Sequence, residues 1–474
     1  MRHQNFIDRD KLYGLLDNNA PTEEQLNEIL NKARKLKGLG LEDVAKLLCV
    51  ESVADIQKIL DTAHYCKEAI YGKRLVFFAP IYTGNACVNN CVYCGFRKDN
   101  TQLKRKVLTM DEIEQETMQL LRMGHKRALL ICGESPRNDA NYMVEAIRRT
   151  YAARDEKGSR IRRINVELAP MSVEDFAKLK AEQIGTYVCF QETYDPIAYK
   201  QFHPAGTPKG DYLYRLTCMD RAQEGGINDV GLGVLFGLVD YRFEILALME
   251  HARHLEEDYG CGPHTVSFPR IEPAEGTPFS LPENIPHKVS DNDFMKIIAI
   301  IRIAMPYTGI IISTRETPTM RDQLIKYGVS QLSAASETNP GGYEAGEGST
   351  DQQTDHKKTG AQFTLGDHRS LDEVISVLID GGYIPSFCTG CYRKGRVGAD
   401  FMDLAKPGLI KQYCKPNAMF TFREYLEDYA SPETKAKGLR LLEELTQTFD
   451  KEELKKRVEG NLCRIGNGER DLYF

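Results

Sequence analysis

The sequence predicts an α/β fold, a closed (β/α)8 barrel framed by a helical N-terminal cap and a C-terminal extension. Three observations predict it. Eight apolar, strand-like runs lie between residues 74 and 340, amphipathic helical runs alternate with them, and turn or cap signals punctuate the joins. A helix between consecutive strands makes those strands parallel. Eight such units over about 260 residues fit a closed barrel better than an open doubly wound sheet.

Residues 1–73 read as the cap. PTEEQLNEILNKARKLKG carries a proline near its start and Gly38 after its end, and VADIQKILDTAHYCKEAIYG stops at Gly72. The barrel segment, 74–340, opens with RLVFFAPIY at 74–82 and RALLICGE at 127–134. RINVELAP, TYVCFQET and DVGLGVLF follow, then HTVSFPRI from His264, GIIISTRE from Gly309 and SQLSAAS from Ser330. Thr109 with Glu112 and Ser172 with Asp175 are spaced as capping boxes, and Gly124 ends the helix before the second run. From Gly341 to about residue 366 the chain is polar and glycine-rich, which predicts a loop. The remainder of 341–474 reads as a helix opened by Ser370 and Glu373, a cysteine-bearing loop and further helices. The last segment, NGERDLYF, carries no pattern that predicts an element.

Composition narrows the class of function. Of 474 residues, 42% are hydrophobic and 27% charged, the balance of a soluble enzyme. A formal net charge of -6 without a long basic run gives no footprint for nucleic acid or an anionic membrane. No stretch reads as a signal peptide or a bilayer span, so a cytoplasmic location is expected. Thirteen cysteines in a reducing compartment point to metal binding or catalysis rather than disulfides. Six of them form two triples; the scattered remainder read as small buried hydrophobes.

The first triple is Cys87, Cys91 and Cys94 in GNACVNNCVYCGFRKDN, directly after the first predicted strand. Barrel active sites are built on such loops. Three thiolates at CxxxCxxC spacing can wrap a 4Fe-4S cubane, binding three irons and leaving the fourth open. The motif resembles the radical S-adenosylmethionine (SAM) superfamily, in which the open iron chelates SAM and one electron releases a deoxyadenosyl radical. Tyr93 stands at the aromatic position that family has before its third cysteine. The resemblance assigns Glu134, at the end of the second strand, to the SAM amino group. Glu167, Gln191 and Glu192 end the third and fourth runs and are further candidates for SAM or substrate contacts, with ordinary solvated strand ends as the competing reading.

Cys388 and Cys391, then Cys414 after 22 residues, form a second incomplete ligand set. It suits another 4Fe-4S cluster with an open iron; a zinc site borrowing His368 is the competing reading. Both triples together, with segments such as GTYVCFQETY, DVGLGVLFGL, GPHTVSFPR and TGIIISTRE, resemble the family of radical SAM tyrosine lyases that mature FeFe-hydrogenase. The related thiamine-pathway lyase of that superfamily lacks the second triple. The resemblance implies L-tyrosine as substrate, with Cα–Cβ cleavage to p-cresol and dehydroglycine, and conversion of the latter to CO and cyanide. It implies delivery of these to an additional iron on the auxiliary cluster, carrying a free cysteine ligand and His264, for a hydrogenase maturation scaffold protein. A reductant such as ferredoxin or flavodoxin would supply the electron. Arg315 and Arg270, late in the seventh and sixth runs, are the candidates to clamp the substrate carboxylate. Another aromatic amino acid lyase of the 2-iminoacetate synthase type, or a non-enzymatic iron-sulfur scaffold, are the alternatives.

Overall fold

The structure, a computed structural model, describes residues 3–17, 20–345 and 360–474. Eight parallel strands close a barrel: β1 (Arg74–Gly84), β2 (Arg127–Cys132), β3 (Arg163–Glu167), β4 (Tyr187–Val188), β5 (Val230–Gly233), β6 (Thr265–Ser267), β7 (Gly309–Ile312) and β8 (Gln331–Ser333). Each pairs with the next, and β1 closes the ring by pairing with both β8 and β2. Each of the eight predicted runs overlaps one of these strands, with β1 extending two residues past its run to Gly84.

Helices cover the outside of the barrel, and the cap supplies a second layer over part of it. The helix Asp291–Ala304 is buried almost all round, with Ile297, Ile298, Ile300 and Ile301 inaccessible, because the cap helix Val53–Tyr71 packs against it. A helix apolar on every face needs such a cover. Its buried Arg302 is satisfied by carbonyls, those of Gly328, Pro306 and Thr308, rather than by a carboxylate.

Local signals held where the chemistry allowed it. Thr109 and Glu112 form a reciprocal capping box, as do Ser370 and Glu373. Ser172 accepts from the Asp175 amide, but Asp175 turns its carboxylate to Lys178 at 2.7 Å instead of back to the cap. The side chain is one methylene too short for the reciprocal bond.

Two expectations are corrected. The fourth run was read as a strand reaching Glu192, yet β4 ends at Val188. Its ladder continues toward β5 alone, with Cys189 and Gln191 amides donating to Gly231 and Gly233 carbonyls, and Glu192 then turns with a φ of 70°. The second correction is a ninth strand, β9 (Ile384–Ser386), which pairs in parallel with Arg74–Val76 of β1. β8 occupies the opposite edge of β1, and β2 joins only from Ala79 onward, so β9 fills the edge below the start of β2. Three residues centred on Pro385 carry no periodicity to read, and proline is tolerated because β9 is an edge strand. A boundary at 340/341 therefore cuts through a shared sheet.

The glycine-rich segment also differs from a plain loop. Gly342–Ala345 is a short helix, residues 346–359 lie outside the described residues, and 360–366 runs as a strap across the mouth where β1–β8 end. Among the described residues no helix is long and apolar enough to cross a membrane.

Candidate functional site

Because all strands run one way, their C-terminal ends form one mouth of the barrel. Cys87, Cys91 and Cys94 lie on the loop that leaves β1 there. Val88 donates to the Glu134 carbonyl at 2.7 Å and Gly133 to the Gly84 carbonyl at 2.9 Å, which ties the loop to the end of β2. Gly133 is required by close approach: a Cβ would stand 2.6 Å from the Ala86 carbonyl oxygen and 3.1 Å from the Cys87 Cβ. Burial pushes the Cys94 thiol up to about 12, and the neighbouring Cys91 and Cys87 add to it. Burial raises Cys91 as well. Metal binding here must therefore release protons.

Among the described residues, no three His, Cys, Asp or Glu side chains close around a single metal ion. A cubane does not ask for that, since each of its cysteines binds a different iron. Three thiols from one short loop, Cys91 buried and Cys87 and Cys94 partly so, and close enough that Cys91 and Cys87 raise Cys94, fit such a cluster.

Polar groups line this mouth. Glu134 accepts from Asn89 Nδ2 at 2.5 Å, and Asn89 Oδ1 in turn accepts from the Lys209 amide at 2.8 Å. Tyr93 is buried, its hydroxyl 2.7 Å from His203 Nε2. Glu192 accepts from Lys209 Nζ at 2.6 Å, with Arg215 at 3.8 Å. Gln191 is buried, and its Nε2 has no partner among the described residues. Burial raises the Glu167 carboxyl to about 7, Glu192 adds to this, and Arg315 opposes it.

The two arginines named from the sequence part company. Arg315 lies with its guanidinium carbon 3.3 Å from the Phe363 ring centroid, and no carboxylate pairs with it among the described residues. Arg270 is spent on structure: it forks onto Glu316 and donates to Asp291 at 2.7 Å and to the Val289 carbonyl at 3.1 Å. Its planar face has no free edge for a substrate carboxylate, so the expectation for Arg270 is corrected.

The second set lies at the opposite mouth, where the strands begin. Cys388, Cys391, Cys414 and His264 line one cavity with Arg74, Arg127 and Arg396. Cys391 follows β9 on the short helix Gly390–Arg393, Cys414 sits in the first turn of Lys411–Asp428, and His264 directly precedes β6. Cys391 donates to the Cys414 sulfur, which with Arg74 and Arg396 holds Cys414 below the usual thiol range. Gly390 donates to Cys388 Sγ at 3.3 Å. Burial holds His264 below its ordinary value, so its ring is neutral at pH 7, with Nε2 3.0 Å from the Tyr392 hydroxyl and Nδ1 3.7 Å from Asp229. A neutral imidazole is the form that binds a metal. One buried nitrogen each of Arg74, Arg127, Arg163 and Arg396 has no hydrogen-bond partner among the described residues. Cationic side chains beside three thiols, with Arg127 also donating to the Cys388 carbonyl at 3.0 Å, suit an anionic cluster.

These arginines were missed in the sequence, although a signal was there: Arg74, Arg127 and Arg163 are the first residues of three consecutive strands. Lys209, Arg215 and Gln362 had no such signal, because each comes to the first triple from a distant loop or helix. His368 bonds the Leu365 carbonyl at 3.1 Å and does not line the second cavity.

Comparison with known proteins agrees with this geometry. The family model of the Radical SAM superfamily matches residues 81–252, and that of the Biotin and Thiamin Synthesis associated domain matches 267–384. A 2-iminoacetate synthase from Salmonella typhimurium is 30% identical over 370 residues, covering 77% of this chain and 90% of that protein. The crystal structure of HydG, a maturase of the [FeFe]-hydrogenase, is similar at 46% identity and a TM-score of 0.93, over 99% of this chain and 100% of that one. The HydG structure from Carboxydothermus hydrogenoformans follows at 40% identity and a TM-score of 0.82, over 96% and 97%.

Proposed function

Since the chain belongs to the radical SAM family of HydG maturases of FeFe-hydrogenase, we propose that it is a carbon–carbon lyase that converts L-tyrosine to p-cresol and dehydroglycine, and the latter to CO and cyanide. The observation that carries this reading is the pair of cysteine triples at opposite mouths of one barrel.

In this reading Cys87, Cys91 and Cys94 hold the first 4Fe-4S cluster, and Cys388, Cys391 and Cys414 the second. When bound, the first cluster and SAM supply the one-electron chemistry that takes a hydrogen from the tyrosine amino group. The chain's own residues do the rest by position and charge. Glu134, already an acceptor from Asn89, accepts from the SAM amino group at the mouth where Gly133 admits it. Tyr93 holds the cysteine loop through His203. Glu167, Gln191 and Glu192 line the space beyond, and the unpartnered Gln191 Nε2 is a donor that a ligand would satisfy. Arg315, spread on Phe363, offers its fork to the tyrosine carboxylate. At the far mouth His264 is the ligand for an additional iron, bearing a free cysteine, that would pass to a hydrogenase maturation scaffold protein. A ferredoxin or flavodoxin supplies electrons.

The test is anaerobic turnover of the reconstituted protein with SAM, dithionite and tyrosine. p-Cresol, 5'-deoxyadenosine and CO trapped by deoxyhaemoglobin are expected, and alanine at Cys87, Cys91 or Cys94 abolishes all three. SAM cleavage retained in those variants overturns the assignment. The similarity to 2-iminoacetate synthase favours one second reading: p-cresol with accumulating dehydroglycine and no CO would establish that activity instead.

A further inference from the structure

The segment that returns the chain from 360 to 366 passes against the first cysteine loop at Cys94 and Gly95. It is held on every side. Asn85 Nδ2 donates to the Gly360 carbonyl at 3.3 Å, the Gln362 amide donates to Thr338 at 3.0 Å, and Gly95 donates to the Gln362 carbonyl at 3.2 Å. Thr338 Oγ1 donates to the Phe363 carbonyl at 3.1 Å, and the Thr364 and Gly366 amides donate to Pro273 and Thr314 carbonyls, each at 2.9 Å. Gly95 leaves no space beneath: a Cβ there would stand 2.7 Å from the Gln362 carbonyl oxygen and 2.9 Å from that of Ala361.

That backbone fixes one side chain against the cysteines. Gln362 Nε2 donates to Cys94 Sγ at 3.8 Å, within reach for the large sulfur atom. A thiolate accepts only, so the NH2 end of the amide faces the sulfur, and Tyr82, buried near the end of β1, donates its hydroxyl to Gln362 Oε1 at 2.9 Å. With the oxygen so engaged, the NH2 is left for Cys94. The next residue, Phe363, carries the Arg315 guanidinium on its ring.

We propose that Gln362 is a positioning residue for the cluster held by the first triple, donating its side-chain amide to the Cys94 thiolate and thereby raising that cluster's reduction potential. The inference rests on the reading of Cys87, Cys91 and Cys94 as cluster ligands. Reduction adds an electron to an already anionic cluster, and negative charge accumulates on its sulfurs. A donor aimed at a ligand sulfur stabilises the reduced form more than the oxidised one. Loss of the donor therefore makes reduction harder without removing a ligand.

The test is an EPR-monitored redox titration of the reconstituted protein, following the signal that SAM perturbs. Gln362→Leu removes the donor; Gln362→Glu keeps the shape and the Tyr82 acceptor but puts an oxygen toward Cys94. Both variants should keep wild-type iron and sulfide content and shift the midpoint to more negative potential, Glu further than Leu. Gln362→Leu and Gln362→Glu with intact clusters and the wild-type midpoint would overturn the proposal. Loss of the first cluster in both variants would also overturn it, by making Gln362 a structural residue. A wild-type protein with no SAM-responsive signal would instead remove the ligand reading of the triple itself.

Discussion

Arg315 and Glu167 both lie at the C-terminal mouth, close enough that Arg315 opposes the rise of the Glu167 carboxyl, and what each packs against sets what it can do. Arg315 keeps its hydrogen-bonding edge open because an aromatic face, not a carboxylate, supports it. Arg315→Ala should weaken tyrosine binding by ~1.5–3 kcal/mol, roughly 10- to 150-fold, and leave SAM affinity nearly unchanged. Calorimetric titration of both ligands checks this; equal losses refute it. Glu167 is held protonated up to about 7 by burial. A raised carboxyl keeps its proton in the folded state after the unfolded chain has lost it, so its contribution to stability falls as pH rises from 4.5 to about 7. A cationic ligand beside Glu167 favours the carboxylate and expels that proton. SAM affinity should therefore strengthen from pH 6 to 8 and level off above, and Glu167→Gln should flatten the profile. A flat wild-type profile removes Glu167 from the site. At this scale the cysteines were legible, since their spacing is covalent. Arg270 was not: its partners Glu316 and Asp291 are brought to it by folding.

At the scale of elements, short segments with no pattern turned out to hold the second triple. β9 is three residues long, and the tail NGERDLYF follows the last helix. Asp471 pairs with Arg393 at 2.5 Å and with Arg162 at 3.2 Å, and the Tyr473 ring lies 4.7 Å from the Arg393 guanidinium carbon. The Phe474 amide donates to Asn417 at 2.8 Å, and the Gly390 backbone lies against Asn417 and Tyr473. The tail thus clamps the turn bearing Cys391. Asp471→Ala leaves Arg162 and Arg393 without that carboxylate and should loosen the turn. Iron after reconstitution should fall toward about four per chain, the content of one cubane, while SAM cleavage persists. Unchanged iron would show that the clamp is dispensable. Capping boxes were legible as local chemistry; the tail was not, because its residues acquire partners from Arg162 to Asn417 only in the folded chain.

For the whole molecule, the barrel separates two chemistries. β1 has 11 residues and at about 3.3 Å per residue spans on the order of 30 Å, with Arg74 at the second cavity and the first triple beyond Gly84. One bound tyrosine cannot bridge that length, so a small product must travel. Replacing Cys388 and Cys391 together by alanine should leave SAM cleavage and p-cresol release largely intact while strongly reducing CO. His264→Ala should be milder, lowering iron content with the lyase step spared. Product quantification in both variants decides it. Loss of p-cresol in a folded double variant with an intact first cluster would mean that the two mouths act as one site.

The sequence alone determined the alternation of strand and helix, hence the parallel barrel, and the six cysteines in two groups. Both are properties of neighbours along the chain: periodicity sets which face is buried, and CxxxCxxC sets how far one loop can wrap. Tertiary structure decided which charges stay free, where β9 joins β1, how Gln362 reaches Cys94 and how Asp471 reaches Arg393 beside Cys391. Those outcomes depend on burial and on partners tens to hundreds of residues apart, and the free energy of a charge or an amide is set by the partner it meets, not by its place in the chain.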